Sequence, residues 1–463
     1  MSNYLPNQNT AIGSRIYNAG ITADETDVAW ALRSLADRRT EYQLYHDYLR
    51  GNHRLAFASS EYRAAFAALL TGLHVNICPA VVGALTDRLK VEGFTALDGG
   101  EQAGQDAWAL WEGARLGGTH NRVHKEAIAS GDAYLLVWPD ASGRARFYPH
   151  TGLTMTHEHD AEEPDVITKA AKLWKDGKRY RLNLYYPDRI EKYRTMADTS
   201  GATVAAFGRY DDGDGDDIRN DFGRVPVFHF PFDSDTHAHG TAELRDIVPI
   251  QDSLNKAMHD LMVACEVVAF PQRLIIGVEE PVNDDGSPAA LFQAGITRIM
   301  TVANPEAKAV TFPAADIEKY QSVKTGLYQD IAAIKGIPIH YFHLGGDFPS
   351  GESLKVAESR LVSRVDDTQV DFGDVWADAL AFALRVENGT ETQLRTVWAD
   401  AASRNERSEA ETVAIMVRDV GISQKEGWRR LRFSGDEIAT MEAEKEMETT
   451  TTAAAFGQAF DAG

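Results

Sequence analysis

Pro338-Ile-His340-Tyr-Phe-His343-Leu-Gly345-Gly346-Asp347-Phe-Pro-Ser350-Gly351-Glu-Ser353-Leu-Lys-Val-Ala-Glu-Ser-Arg360 separates two long helical patterns and says more about this chain than any other stretch. Gly336-Ile337-Pro338 stops the preceding helix, because Pro has no amide to donate and restricts the residue before it. Ser350 or Ser353 then starts a very long amphipathic helix. Gly345, Gly346 and Gly351 free the backbone in between. The segment matches neither a phosphate-cradling loop nor a nucleophile elbow. A Gly-rich connector of this kind between long helices points to a mechanical or contact-making role.

Outward from this loop the chain reads as long helices. Leu354, Leu361, Val365, Phe372, Trp376 and Ala379 form one stripe from Ser353 to about Glu387, roughly 50 Å at 1.5 Å per residue. Asn388-Gly389 stops it, and Gly373 inside it suggests a bend. Before the loop, Ile317, Tyr320, Leu327, Ile331 and Ile334 mark a helix over 316–335. Pro249 suits a helix start, and Leu254, Met258, Leu261, Met262, Cys265 and Val268 continue one face until Pro271. A β-like, turn-rich segment spans 272–312. Shorter helices are expected near 406–420 and 423–432, then a charged one from Asp436 that fades into a flexible tail.

The first half is α+β. Apolar spacing predicts one helix from Thr26 to Arg50 ended by Gly51, two more over 60–87, and a strand over 88–94. Helical patterns around Trp108-Trp111 and over 120–130 lead into a strand at 133–138. From Val166 to Arg194 the pattern is an antiparallel meander, with Asp176-Gly177 as its hairpin turn. A strand follows over 225–230. Trp108 and Trp111, at helical spacing, read as core.

The chain's 463 residues suggest two to four structural units. Asp and Glu number 69 against 47 Lys and Arg, a formal charge of −22, which argues against tight sequence-specific DNA binding. It does not argue against a surface past which DNA slides. Only Cys78 and Cys265 occur, which favours a reducing compartment over a disulfide framework. No signal peptide is visible at the N-terminus, and the most apolar run, 261–276, is broken by Glu266, Pro271 and Arg273. The chain is expected to be cytosolic when made.

Enzyme chemistry finds little support. His157-Glu158-His159 and His237-Ala238-His239 each offer two imidazoles at strand spacing, but neither has a third ligand nearby in sequence. They read as exposed polar histidines, with no metal and no cofactor expected. Asp211-Asp212-Gly213-Asp214-Gly215-Asp216-Asp217 superficially resembles a calcium loop. Counted from Asp212, however, position six is Asp217 and position twelve is Gly223. It reads as a solvated surface loop whose aspartates are dispensable for folding.

The order of parts resembles the portal proteins of tailed bacteriophages, in the group similar to the Bacillus phage SPP1 portal. Near the N-terminus the matching residues are Tyr45-x-x-Tyr48-x-x-Gly51-Asn-His53, Asn76 and Asp87-Arg88-Leu89-x-Val91-x-Gly93-Phe94. Glu126-Ala-Ile-x-x-Gly131-x-Ala133-Tyr134 and Asn183-Leu-Tyr-Tyr-Pro-Asp-Arg-Ile190 continue the pattern. The sharpest matches are Glu243-Leu-x-Asp246-Ile-Val-Pro-Ile-Gln-Asp252-x-Leu-Asn255-Lys and Pro349-Ser-Gly351-Glu-Ser-Leu354-Lys-x-x-Glu358-Ser-x-Leu361, the latter ending in Phe372-Gly373-x-x-Trp376. The C-terminal part is short, and the histidine-rich 154–160 stretch has no counterpart in the pattern.

The resemblance implies an α+β, predominantly helical portal fold and no catalysis. It implies an N-terminal arm (1–26), a wing (27–240) and a stem helix (241–270). A clip (271–312), a second stem helix (313–337) and a tunnel loop (338–352) would follow. The long helix with more wing (353–400), a crown (401–448) and a tail (449–463) would complete the chain. It further implies a homododecameric ring at one capsid vertex of the virion, assembled in the host cytoplasm. Its partners would be the terminase large subunit, head-completion and neck proteins, the major capsid and scaffolding proteins, and double-stranded DNA passing through without sequence specificity. DNA-facing residues in the tunnel loop would be His340, His343, Gly345, Gly346, Asp347, Ser350 and Gly351. Between Pro338 and Glu352 there is no Lys or Arg to hold a phosphate. The competing readings are another virion structural protein, such as a minor head or tail component, and an acidic metal-dependent hydrolase.

Overall fold

Thr26 accepts a hydrogen bond from the Ala29 amide and so caps helix α1 (Asp27–Asp37). The expected single helix to Arg50 is in fact two. The backbone leaves helical geometry at Arg38 (φ −102°, ψ −3°), and α2 (Arg39–Leu49) starts afresh. The break turns the Arg38 guanidinium toward Asp132, 2.6 Å away, a long-range contact that periodicity cannot register. The structure is a computed structural model. It describes residues 26–53, 75–97, 100–199, 201–234, 239–269, 273–276, 308–311, 317–342, 351–389, 392–402, 406–431, 433, 437–438 and 440–445. Part of the pair of helices expected over 60–87, most of the 272–312 segment and the tail after 448 lie outside these residues.

Of helices α3 (Cys78–Thr86), α4 (Glu101–Gly113) and α5 (Leu116–Ser130), α4 packs on strand β1 (Val91–Ala96), and α5 packs against both α3 and α4. Strands β2 (Asp132–Pro139), β3 (Ala145–Thr151), β4 (Met155–His159), β5 (Ile167–Asp176), β6 (Arg179–Tyr185), β7 (Arg189–Thr195), β8 (Phe207–Arg209), β9 (Asp217–Arg219) and β10 (Val227–Pro231) follow. They form two antiparallel sheets. One has the order β10-β2-β3, and the other runs β4-β5-β6-β7-β8 with β9 also on β7. The expected hairpin is present, with Asp176 opposite Arg179. Tyr134, Leu136, Met155, Ala170, Tyr185, Ile190, Val225 and Val227 fill a core drawn from both sheets. Edge strand β4 thereby comes to lie near β2 and β10.

Helix α6 (Ile247–Ala269) pairs with α7 (Ile317–Lys335), and β11 (Arg273–Ile276) pairs antiparallel with β12 (Lys308–Thr311). Helix α8 (Gly351–Asn388) has 38 residues, and β13 (Leu394–Trp398) after it returns to pair with β1. Phe372, Trp376, Leu380 and Ala383 of α8 are buried in the largest core cluster with Trp111, Ile128 and Phe230. Trp108 stacks on Trp111 at that cluster's edge, as the core reading anticipates. No helix among the described residues is long and apolar enough to cross a membrane. The chain divides into two compact units, Met1–Asp347 with Arg360–Ala401 and Phe348–Ser359 with Ala402–Gly463. In the second, α9 (Glu406–Ile415) continues into a π-helical turn (Met416–Val420), and Ser423 caps α10 (Gln424–Arg430).

Candidate functional site

The two sharpest sequence motifs meet at the foot of α6 and α7. Glu243, almost wholly buried just before α6, takes both nitrogens of the Arg364 fork from α8 at 3.0 and 2.7 Å. Lys335, at the end of α7, lies 3.4 Å from Glu243 and 3.0 Å from Asp246. The Lys335 hydrogen bond, ahead of the opposing effect of burial, holds the Asp246 carboxyl below its ordinary value. Arg364 also donates to the Lys335 carbonyl, and Arg360 to the Ala333 carbonyl. A bidentate Arg–carboxylate pair fixes orientation as well as distance. This cluster therefore locks α6, α7 and α8 together where the chain enters and leaves the loop.

The rest of the first motif serves the body. The buried Gln251 side chain accepts from the Ile77 amide and donates to the Val75 carbonyl. Tyr48 donates to Asp252, and Asn255 contacts His53 at 2.8 Å. In the second motif, Trp376 donates from Nε1 to His124 within the core. These motif residues thus attach α6 and α8 to the α1–α5 region.

Among the expected loop residues, His343, Gly345, Gly346, Asp347 and Ser350 lie outside the described residues, and Gly351 is the first residue of α8. His340 is half-buried in a short 3-10 turn, Ile339–Tyr341. That turn is fastened at its C-terminal end. Arg88 reaches the Tyr341 hydroxyl and the Ala401 carbonyl, while Phe342 stacks on Tyr328 of α7. The first five residues of the 338–352 segment are therefore anchored.

The reading of the histidine pairs needs correction at His157, while His237 lies outside the described residues. His157 is buried rather than exposed, and its ring lies 4.1 Å from that of His229 and 5.4 Å from that of His239. The third nitrogen donor missing from the local sequence comes from β10 and the segment after it. A nitrogen from each of His157, His229 and His239 lies within 4.8 Å of the others. Beside them, wholly buried Asp132 accepts from His229 Nε2 (2.7 Å) and the Gly240 amide (2.8 Å) at one oxygen. Its other oxygen accepts from Arg38 and from the Tyr42 hydroxyl, both at 2.6 Å. Burial would raise this carboxyl, but the His229 hydrogen bond and the Arg38 charge hold it well below its ordinary value. Burial depresses His157 far below ordinary imidazole, assisted by its histidine neighbours, and it depresses His229 against the pull of Asp132. Both rings are therefore neutral at neutral pH.

Two glycines make this convergence possible. A Cβ on Gly240 would stand 2.0 Å from the Gly131 carbonyl oxygen, and one on Gly131 (φ +98°) would stand 2.8 Å from that of Gly240. Only a Gly–Gly contact lets the 239–242 segment press against the start of β2 and deliver its amide to Asp132. Gly131 belongs to a motif picked out in the sequence; its purpose was invisible there. His229 could have been noticed as a lone imidazole inside the apolar run Val227-Phe-His-Phe230.

The family described as "Phage portal protein, SPP1 Gp6-like" matches residues 30–451. This chain belongs to that family. The portal protein of Mycobacterium phage L5 is 26% identical over 405 residues, covering 79% of each chain. That of Mycobacterium phage D29 is 24% identical over 350 residues, covering 71% of this chain and 70% of its own. Among solved structures, a chain from the neck of a native gene transfer agent particle is 13% identical with a TM-score of 0.47. It covers 82% of this portal protein and 95% of its own length. The expectation of a tailed-phage portal protein is met, and the mixed helix-and-strand content agrees with the α+β reading.

Proposed function

We propose that this portal protein closes into a twelve-membered ring at one vertex of the capsid. In this reading the ring is the channel for DNA packaging and ejection. It docks the terminase large subunit and later the neck proteins, and it is embedded among the major capsid and scaffolding proteins. The observation that carries the proposal is a portal-family match over nearly the whole chain. The helix pair α6–α7 supports it independently. No residue from Glu318 to Leu327 is buried, and Val323 is 52% exposed. A helix with one weak stripe and a bare half needs neighbouring surface, which a heterologous ring supplies at every subunit.

Within this assignment 27–240 and 353–400 serve as wing, α6 and α7 as stem, 271–312 as clip, 338–352 as tunnel loop and 401–448 as crown. The buried Glu243–Arg364–Lys335 cluster would then be the rigid joint from which the loop is held. The loop carries acidic Asp347 and Glu352 and no fixed cation, as suits a lining that DNA must slide past. Asp347→Lys would add a phosphate-binding cation to each subunit. Rings should still form, whereas packaging or ejection should slow in a salt-dependent way. Mutant particles that fill and empty like the parent at low salt would remove this loop from the DNA path.

A further inference from the structure

We propose that His157, His229 and His239 form a structural site for a zinc-class divalent cation, with His159 placed to contribute a fourth nitrogen. The three nitrogens lie within 4.8 Å of one another. A tetrahedral zinc with bonds of about 2.0–2.1 Å holds its ligand atoms about 3.4 Å apart. The three nitrogens would draw together to meet that geometry. His157 and His159 alternate on β4 with their rings 4.3 Å apart, and their Nε2 atoms approach to 2.6 Å. Two imidazole nitrogens so close repel unless a proton or a cation lies between them.

The surroundings have the form of a ligand shell. His229 gives its Nε2–H to Asp132, which fixes the ring and leaves Nδ1 as its donor atom. A carboxylate behind a histidine is the usual outer support of a metal ligand. His157 Nδ1 lies 3.1 Å from the Tyr134 hydroxyl, which leaves Nε2 facing His159. His239 Nδ1 is buried and finds no hydrogen-bond partner among the described residues, and it stands 3.7 Å from Asp132. An all-nitrogen set suits zinc, copper or nickel and not magnesium or calcium, which prefer oxygen. The four contacts already on Asp132 leave it no part as a base, so the site is structural. It would staple edge strand β4 of the larger sheet to β10 and the segment following it.

The test uses untagged full-length protein, stripped with a chelator and reloaded with zinc or cobalt alone. The proposal expects one zinc per chain to survive gel filtration. Cobalt should show the intense visible absorption of a tetrahedral nitrogen site, and zinc should raise the melting temperature. His239→Ala, on a partly exposed residue outside the sheets, should fold yet lose the retained zinc and the cobalt band. His340→Ala should keep both. His159→Ala should weaken retention or alter the cobalt spectrum, which gives a second readout on a separate element. Substoichiometric zinc in the parent, or full retention in folded His239→Ala, would overturn the site.

Discussion

Glu243 is a carboxylate withdrawn from water and answered by two cations from two different helices. Removing one partner of such a buried group leaves the others uncompensated, at a cost of about 3–5 kcal/mol. Glu243→Gln keeps the shape and deletes the charge, so it should lower the unfolding free energy by an amount in that range; urea unfolding measures it. Surface-charge substitutions elsewhere should stay within about 0.5 kcal/mol. The aspartate run at 211–217 divides along the same line and corrects the expectation that it is uniformly dispensable. Asp212 holds Lys192 at 2.5 Å and Arg181 at 2.6 Å, and the Lys192 side chain is only 6% exposed. Asp214 is exposed. Asp212→Asn should therefore destabilise by about 1–3 kcal/mol, since it weakens charged hydrogen bonds to a buried amine. Asp214→Asn should change almost nothing. Thermal melts of the two single variants side by side separate these outcomes.

Elements were legible where neighbours in sequence decide them and opaque where distant contacts do. The β5–β6 hairpin, the long helix α8 and the pair α6–α7 follow from turn chemistry and apolar spacing, and all are present. The break at Arg38 is set by Asp132, 94 residues away, and no local pattern carries it. Gly373 shows the same division. In sequence it suggests a bend; in the structure it has a packing reason, because a Cβ there would stand 2.8 Å from Trp398 Nε1. Thr396 on β13 also donates to the Gly373 carbonyl at 2.7 Å. Gly373→Ala would gain about 1 kcal/mol in helix propensity. Against that, overpacking between α8 and β13 costs about 1–3 kcal/mol. The expected net result is a modest loss of stability, read as a lowered melting temperature; a stabilised variant would mean that Trp398 yields easily. The histidine cluster was hidden for a related reason. Its members sit on β4, on β10 and at His239 just before the Gly240 contact, and only the packing of two sheets and a Gly131–Gly240 contact brings them together.

At the scale of the whole molecule, the family match over residues 30–451 and the unfilled half of α7 lead to the same expectation. In the proposed ring, copies of the chain would cover that bare face, and closed rotational symmetry would do so without exposed ends. The acidic excess of the sequence, −22 per chain, fits a channel that passes DNA without gripping it. Native mass spectrometry of the purified full-length protein, across protein concentration and salt, tests the ring most directly. The account predicts a single closed oligomer, twelve subunits in the assembled form. Monomers alone at micromolar concentration under every salt condition would contradict it.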